Sequence, residues 1–260
     1  MAEVLVLESP EAAGEFVAAH IAREATQNPR FTLGVATGST PLPVYEALRT
    51  HAARGVDFSR MAAFALDEYV GLPAGHPESY RAVIDREVAA PLGMDAASVH
   101  VPDGSLEGIE TTGERYERAL IDHGGVDLQL LGIGRTGHLG FNEPGSSFGS
   151  LTRVKTLTEQ TRIDNARFFS SLDDVPIHCV TQGLGTILRA RHLVLLAFGE
   201  GKSHAVAAAV EGPVTASMPG SAIQLHPHVT VVLDPAAASG LEYRDYYRLA
   251  QERKPGWQGI

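Results

Sequence analysis

The sequence predicts an α/β protein with an open, mainly parallel, doubly wound sheet and helices on both faces. Apolar segments of strand length alternate with segments that carry helix-start signals, which is typical of parallel βαβ units. Three of the apolar segments end in polar turns, and parallel strands bring such ends to one edge of a sheet. The chain has 260 residues, of which 44% are hydrophobic. We therefore expect one domain over residues 1–260, built on one substantial core.

The first strand and helix are predicted close to the amino terminus. Val4 to Leu7 is a short apolar run, and Ser9 and Pro10 supply an N-cap and a proline at the first helical position. The helix is expected to end near Thr26. Its apolar residues recur at helical spacing, so we interpret it as scaffold.

The second predicted strand, Phe31 to Ala36, ends in the turn Thr37-Gly38-Ser39-Thr40. A helix that starts with proline follows, to about Thr50. Such a turn directs free backbone amides and hydroxyls outward, where they can hold a phosphate. The alternative is simple helix capping by Ser or Thr. The polar ends of the neighbouring strands favour the phosphate interpretation.

Two acids follow the third predicted strand, Met61 to Leu66. Asp67 comes directly after the strand and is interpreted as a general acid or base. For Glu68 we expect a solvated or salt-bridged loop acid. A Gly- and Pro-rich loop comes next, and a new helix is expected to begin near Tyr80.

The central stretch, Val126 to Pro144, joins a buried strand to a Gly-rich loop with one imidazole, His138, and one carboxylate, Glu143. A helix from about Leu106 to Asp122 precedes it. His138 fits a catalytic role near neutral pH, or a loop histidine bonded to nearby backbone. The sequence of this stretch alone does not separate the two.

A dinucleotide site is the competing interpretation of this stretch. Gly132, Gly134 and Gly137 spell GxGxxG after a strand, and Glu159 lies at about the right distance. The fingerprint requires a helix at the third glycine, however, and the glycines and proline that follow leave no room for one. We therefore expect a Rossmann-like sheet without a dinucleotide site.

The second half continues the alternation. Strands are predicted at Arg153 to Lys155, His192 to Ala197 and Val229 to Leu233, and a helix at Thr181 to Ala190. The segment after Val229 to Leu233 is expected to be a polar tail that contains three tyrosines.

Several single residues in this half have two interpretations. Arg167, beside two phenylalanines, fits an anion ligand or a surface ion pair, and Lys202 fits a phosphate ligand or a plain helix lysine. His226 and His228 are interpreted as loop residues, because no carboxylate lies at metal-ligand spacing.

Charge and cysteine content limit the partners. The formal net charge of −10 argues against nucleic acid or an anionic membrane as the main partner, because no basic surplus replaces counterions. Cys179 is the single cysteine, which fits a reducing cytoplasm and a small core residue. No apolar run has membrane length.

With these residues in hand, the chain resembles the glucosamine-6-phosphate deaminase family over nearly its whole length. The segments that carry the resemblance are Thr37 to Pro41, Leu66 to Leu72, His76 to Tyr80, Gly137-His138 with Gly140 to Pro144, and Ala209 to Gly212. Several separate matches in the right order are far more specific than one motif.

The resemblance implies conversion of glucosamine 6-phosphate and water to fructose 6-phosphate and ammonia, a hydrolase or isomerase activity without metal or organic cofactor. It assigns Asp67 as the base that moves a proton from carbon 2 to carbon 1, and His138 as the group that opens the ring. Glu143 orients His138. The phosphate is assigned to the Thr37 to Thr40 turn with Arg167 and Lys202.

The chain departs from the family pattern at Thr136, where some members carry an aspartate. A threonine supplies a hydroxyl but no negative charge. We therefore expect Glu143 to be the main carboxylate partner of His138, and the pH optimum to differ.

The resemblance also suggests a homo-oligomer, and some relatives are hexamers activated by N-acetylglucosamine 6-phosphate. The residues that look like that activator site are Ser146, Ser147, Arg153 and Lys155. Activation is a hypothesis for this chain.

Three other functions remain open at this level: a 6-phosphogluconolactonase, a galactosamine-6-phosphate deaminase and a sugar-phosphate sensor without turnover. The residues Phe141 to Pro144 favour the deaminase over the lactonase. The joint presence of Asp67, His138 and Glu143 argues against a sensor.

Overall fold

The computed structural model describes residues 2–255 and 260, and it contains a central seven-stranded sheet in the order β1-β10-β9-β6-β2-β3-β5. All neighbouring strands in this sheet are parallel. The strands are β1 (Glu3–Val6), β2 (Thr32–Val35), β3 (Ala62–Ala65), β5 (Val99–His100), β6 (Leu128–Gly132), β9 (His192–Ala197) and β10 (Val229–Leu233). The predicted open parallel sheet is confirmed.

A second sheet of three antiparallel strands lies beside the first, in the order β4-β8-β7. Its strands are β4 (Asp67–Tyr69), β7 (Arg153–Thr156) and β8 (His178–Thr181). Only β7 is predicted from the sequence. β4 directly continues the path of β3, so the chain passes from one sheet to the other at Leu66.

Helices cover both faces of the central sheet, as predicted. Helices α1 (Pro10–Gln27) and α2 (Leu42–Ala53) pack into one core cluster, which includes Ile21, Leu33 and Leu48. The opposite cluster contains α4 (Ile109–His123), α6 (Leu184–Ile187), α7 (Ser203–Val210) and α8 (Arg244–Glu252). Two further α-helices are α3 (Tyr80–Ile84), which runs into a π-helical turn, and α5 (Glu159–Asn165).

Two predicted elements are wrong. Thr181 to Ala190 is not one helix: Thr181 ends β8, and the helical part is the single turn α6. Gly183 and Gly185 pack their α-carbons against the backbone of residues 148–151, and this contact holds the segment in place of a long helix. The tail is not merely polar, because Tyr247 of α8 packs into the second core cluster.

The order of the strands creates a switch point between β2 and β6. From β2 the chain builds outward to β3 and β5, and from β6 it builds in the other direction to β9 and β10. The loops after β2 and β6 therefore diverge and leave a crevice at the carboxyl edge of the sheet.

No helix in the described part of the chain combines the length and apolarity that a membrane crossing requires.

Candidate active site

A cleft of about 640 Å³ opens at this switch point. Its walls come from the carboxyl ends of four strands and from the segment around α5. The lining includes Thr37, Gly38, Ser39, Thr40, Asp67, Arg135, His138, Arg167 and Lys202. Asp67, His138, Arg167 and Lys202 thus share one cleft, although they are far apart in the sequence.

The turn after β2 forms one wall. The Tyr45 hydroxyl fixes the end of β2, because it donates to the Ala36 carbonyl at 2.7 Å and accepts from the Ala36 amide at 3.1 Å. Gly38 has a positive φ of 88°, which a glycine adopts without strain. The N-cap of α2 is Pro41, whose side chain has no hydrogen-bonding atom. Simple capping by Ser39 or Thr40 is therefore not what the structure shows, and the N-terminal end of α2 faces the cleft.

Cations line the same cleft as this turn. Lys202 Nζ donates to the Ile133 carbonyl at 2.7 Å, which directs the half-buried side chain towards the loop after β6. Burial and the neighbouring Arg135 lower the pKa of Lys202, Asp164 raises it, and Arg167 lowers it further. Arg167 is exposed and its guanidinium lies 4.7 Å from the Phe168 ring centre. This local excess of positive charge suits an anion.

Arg135 is a cleft residue that the sequence-based interpretation missed. It lies in the loop between Gly134 and Thr136, and its charge acts on Lys202. Its position in a Gly-rich loop at a strand end was the available signal. Arginine is so common on protein surfaces that this position alone did not distinguish it.

Asp67 lies at the junction of the two sheets, as the first residue of β4, and its side chain borders the cleft. It pairs with Thr181 of β8 and is buried. Burial, and secondarily the charge of Glu68, raise the pKa of Asp67 to about 8. A buried carboxylate without a cationic partner is a strong base, and such groups concentrate at functional sites.

The loop that carries His138 closes onto Asp67 through Gly140. An added Cβ at Gly140 would lie 3.1 Å from Asp67 Oδ2 and 3.0 Å from Thr181 Oγ1, and the residue has a positive φ of 54°. Only a glycine fits there without displacing a neighbour. The carboxylate and the imidazole loop are therefore packed against each other.

The structure corrects the interpretation of Glu68. The sequence predicts a solvated or salt-bridged loop acid, but Glu68 is buried and accepts hydrogen bonds from three backbone amides. Its Oε1 accepts from Tyr69 at 2.7 Å and from Tyr80 at 2.9 Å, and its Oε2 accepts from Arg81 at 2.9 Å. Tyr80 and Arg81 open helix α3. Glu68 therefore ties this helix to β4, because it satisfies amides that the helix itself leaves unpaired.

His138 is held by side chains rather than by backbone. Its Nδ1 lies 3.3 Å from Glu143 Oε1 and 3.1 Å from Thr136 Oγ1. The ring packs over Gly134, where an added Cβ would come within 2.2 Å of Nε2. The alternative of a loop histidine bonded to backbone does not describe this ring. A charged acceptor at Nδ1 places the proton there and leaves the Nε2 lone pair available.

Glu143 is buried, yet it stays charged. Burial raises its pKa, but hydrogen bonding and charge interaction with His138, together with hydrogen bonds from Thr161 and Thr136, bring the pKa down to about 2. Thr136 Oγ1 donates to Glu143 Oε2 at 3.0 Å. Glu143 is thus the carboxylate next to His138, as expected for a chain with threonine at position 136.

The four residues suggested for an activator site lie outside the cleft lining. Arg153 and Lys155 are alternate residues of β7, so they lie on one face of the second sheet. Ser147 is exposed and accepts from the Gly149 amide, whereas Ser146 is buried. The structure does not bring them into contact with the cleft.

The arrangement lacks the structure of a dinucleotide site. Gly137 has a positive φ of 80° and is followed by turns, and no helix begins between residues 133 and 150. Among the described residues, no group of three or more His, Cys, Asp and Glu side chains is arranged to hold a metal ion.

Comparisons with known proteins agree on one family. The family described as glucosamine-6-phosphate isomerases/6-phosphogluconolactonase matches residues 8–232. The glucosamine-6-phosphate deaminase of Streptomyces avermitilis is 59% identical over 99% of this chain and 100% of that protein. The glucosamine-6-phosphate deaminase of Bifidobacterium longum is 53% identical, with 100% of both chains covered.

Solved structures give the same result. A monomeric glucosamine-6-phosphate deaminase of the NagB superfamily superposes with a TM-score of 0.89 at 38% identity, over 92% of this chain and 100% of that one. A 6-phosphogluconolactonase from Trypanosoma cruzi reaches a TM-score of 0.75 at 20% identity, over 93% and 97% of the two chains, which shows a shared fold alone.

These matches are to isomerases, deaminases and lactonases, so they support an isomerase-type enzyme, and the term hydrolase finds no support in the deaminase matches. A family match over 225 residues and full-length relatives above 50% identity leave no doubt about kinship. The chain belongs to the glucosamine-6-phosphate isomerase/6-phosphogluconolactonase family, on its deaminase side.

Proposed function

We propose that this protein is a glucosamine-6-phosphate deaminase, which converts glucosamine 6-phosphate and water to fructose 6-phosphate and ammonia. The observation that carries the proposal is the pairing of a base, Asp67, with a separate proton shuttle, His138, in one cleft that also contains an anion-binding end. Full-length relatives with this activity in their names support it. The roles assigned below to single residues are part of the proposal.

The phosphate binds where cations meet the turn after β2. The Thr37 to Thr40 turn offers backbone amides and hydroxyls, and Lys202 and Arg167 supply charge. Arg135 adds a third cation beside Lys202. Anchoring the phosphate at this end directs the rest of the sugar towards Asp67 and His138.

Ring opening uses His138. With its Nδ1 proton held by Glu143, the Nε2 atom accepts the proton of the carbon 1 hydroxyl and passes it to the sugar ring oxygen, while the bond between that oxygen and carbon 1 breaks and carbon 1 becomes a carbonyl. Thr136 supports the pair, because its hydroxyl bonds both Glu143 and His138. The product of this step is the open-chain amino aldehyde.

Isomerisation uses Asp67. The carboxylate takes the proton from carbon 2, which is acidic because it lies next to the carbonyl carbon, and returns it to carbon 1. The bonding electrons pass through an enolamine, in which the carbon 1 oxygen has taken a proton from the substrate ammonium group, and carbon 2 becomes an imine when carbon 1 is protonated. Water then adds to the imine and ammonia leaves, which gives the ketose. The amino group of the substrate is a cation near the carboxylate, and it favours the ionised form of Asp67.

A direct assay tests the proposal. The purified protein is incubated separately with glucosamine 6-phosphate, galactosamine 6-phosphate and 6-phosphogluconolactone, and ammonia, ketose and acid release are measured. We expect equal amounts of ammonia and fructose 6-phosphate from the glucosamine sugar, and much slower release from its galacto isomer. Acid release from the lactone without ammonia release from either amino sugar would overturn the proposal.

We also propose a cytoplasmic homo-oligomer that responds to N-acetylglucosamine 6-phosphate. The alternation of Arg153 and Lys155 on one face of β7, away from the cleft, supports a separate anion site. Light scattering and kinetics with the acetylated sugar phosphate test both points. A monomer with hyperbolic kinetics and no response would remove them.

A further inference from the structure

Glu143 is surrounded by threonine hydroxyls, and no assignment made so far explains all of them. Thr136 donates to Oε2, while Thr158 at 3.3 Å and Thr161 both donate to Oε1, the oxygen that also faces His138 Nδ1. Thr161 is buried and Thr158 is exposed. Charge-assisted hydrogen bonds of this kind fix a carboxylate in one orientation.

Thr161 connects this carboxylate to the other end of the cleft. It belongs to α5, and the same segment supplies Asp164, Asn165 and Arg167 to the cleft wall. Through its bond to Glu143, the Thr161 hydroxyl therefore links the segment that carries the proposed phosphate ligand Arg167 to the proposed proton shuttle His138. Thr158 caps α5 and accepts from the Thr161 amide at 3.2 Å, which fixes the start of this helix.

We propose that Thr161 is a positioning residue: its hydroxyl holds Glu143 in the orientation that orders the His138 ring, and it ties this pair to the segment that carries Arg167. The inference rests on the proposed function. It also accounts for the threonine at position 136, because hydroxyls on Oε1 and Oε2 together hold Glu143 without a second carboxylate. Thr161 lines the cleft, but its hydroxyl donates to Glu143, so the proposal has it act through Glu143 and not as a catalytic residue.

The chain offers a matched control at Glu117, a second buried carboxylate held by threonines. Thr152 Oγ1 and Thr186 Oγ1 both donate to Glu117 Oε1 at 2.5 Å, and Arg189 pairs with Oε2. Neither Glu117 nor Thr186 lines the cleft. Loss of the Thr186 hydroxyl therefore reproduces the chemistry of losing the Thr161 hydroxyl, but away from the site.

The experiment compares Thr161→Val, which is nearly isosteric and lacks the hydroxyl, with Thr161→Ser, which keeps it, and with Thr186→Val. We expect Thr161→Val to lower kcat about tenfold or more while KM changes less than threefold, because the loss acts on proton transfer rather than on binding. Thr161→Ser should stay within threefold of the parent enzyme. Thr186→Val should lower the Tm by about as much as Thr161→Val does, and it should leave kcat and KM unchanged.

A second readout does not depend on turnover. The proton resonance of the His138 ring nitrogen, assigned with His138→Gln, should shift in Thr161→Val and not in Thr186→Val. If the parent enzyme releases no ammonia, the proposed function fails, and this resonance still tests the position of Thr161. If the valine variant does not fold, Thr161→Ala makes the same deletion. Parental kcat and an unchanged resonance in a hydroxyl-free variant, or equal losses with serine and valine, would overturn the inference.

Discussion

Asp67 shows how one residue can be costly for the fold and useful for chemistry. Its carboxylate is buried at the junction of two sheets, and burial together with the charge of Glu68 raises its pKa to about 8. For a carboxylate with a raised pKa, the folded state holds its proton more tightly than the unfolded state. The contribution of Asp67 to stability is therefore fully favourable below about pH 4 and is lost as the pH rises towards 8.

The first prediction concerns Asp67→Asn, which keeps the shape and removes the charge. We expect kcat to fall by about 100 to 10,000-fold, because the proton-transfer base is lost. We also expect the Tm to rise by ~3 °C or more at pH 8, and the gain to shrink at pH 5, because the ionised group is costly only at higher pH. Steady-state kinetics and thermal melts at both pH values check this. A variant that is less stable than the parent enzyme at pH 8 would contradict it.

The second prediction concerns Arg135, the cleft cation that sequence reasoning missed. Arg135→Gln should raise KM about three- to tenfold and leave kcat nearly unchanged, because an exposed guanidinium contributes modestly to phosphate binding and takes no part in proton transfer. Inorganic phosphate should inhibit the variant correspondingly less. Arg60→Gln makes the same charge change at an exposed residue outside the cleft and should alter neither constant. A change in kcat alone would place Arg135 elsewhere in the mechanism.

Among the elements, β4 explains why Glu68 could not be interpreted correctly from the sequence. Asp67 and Glu68 follow an apolar strand and precede a Gly- and Pro-rich loop, a pattern typical of a strand end. The pairing of β4 with β8 is a contact between residues more than 100 positions apart. Neither local periodicity nor turn signals report such a contact, and β8 itself begins with an exposed histidine, between Ile177 and Cys179. Both strands were therefore missed. Six strands of the central sheet, which consist mainly of buried residues, were predicted, and the two-residue strand β5 was missed as well.

The third prediction tests the coupling between β4 and α3. Glu68→Gln removes the charge that helps to raise the pKa of Asp67, so we expect the acid limb of the kcat/KM profile to move to lower pH. The variant should also be less stable by about 1 to 2 kcal/mol, because an amide cannot accept at both ends from the amides of Tyr69, Tyr80 and Arg81. A kcat/KM profile from pH 5 to 9 and a urea titration measure the two effects. An unchanged acid limb would show that Glu68 serves the fold alone.

For the whole molecule, the strand order separates two edges of the central sheet. The carboxyl edge carries the cleft, and its location was predictable because parallel strands place their polar ends together. The sequence pattern correctly placed Asp67, His138 and the turn after β2 there. It could not show the hydroxyls around Glu143, because Thr158 and Thr161 have no charge and lie in a segment without a strong pattern.

The opposite edge carries a histidine cluster. His192 begins β9, stacks on His228 at 3.7 Å and lies edge-on to His20 of α1 at 5.6 Å between ring centres. His192 also bonds Thr230 Oγ1 at 2.9 Å. Sequence reasoning interpreted His226 and His228 as loop residues, and it could not foresee the stack, which depends on the pairing of β9 with β10.

The last prediction follows from this cluster. Burial lowers the pKa of His192 to about 3, together with the charges of His228, His20, His226 and Lys254. Burial also lowers the pKa of His20 to about 4, together with the charges of Arg23, His228 and Lys254. The unfolded chain takes up protons at these histidines below about pH 6.5, whereas the folded protein does not, so stability falls as the pH drops from 6.5 towards 4. His192→Gln should remove about 1 to 2 kcal/mol of the loss between pH 7 and pH 5, and His204→Gln, at an exposed site outside the cluster, is the matched control. Urea titrations of the parent enzyme and the two variants at both pH values measure the difference.

Parallel losses in all three proteins would mean that the acid sensitivity arises elsewhere in the molecule. Unchanged deaminase activity of His192→Gln at pH 7 would confirm that this edge of the sheet acts on stability and not on the cleft.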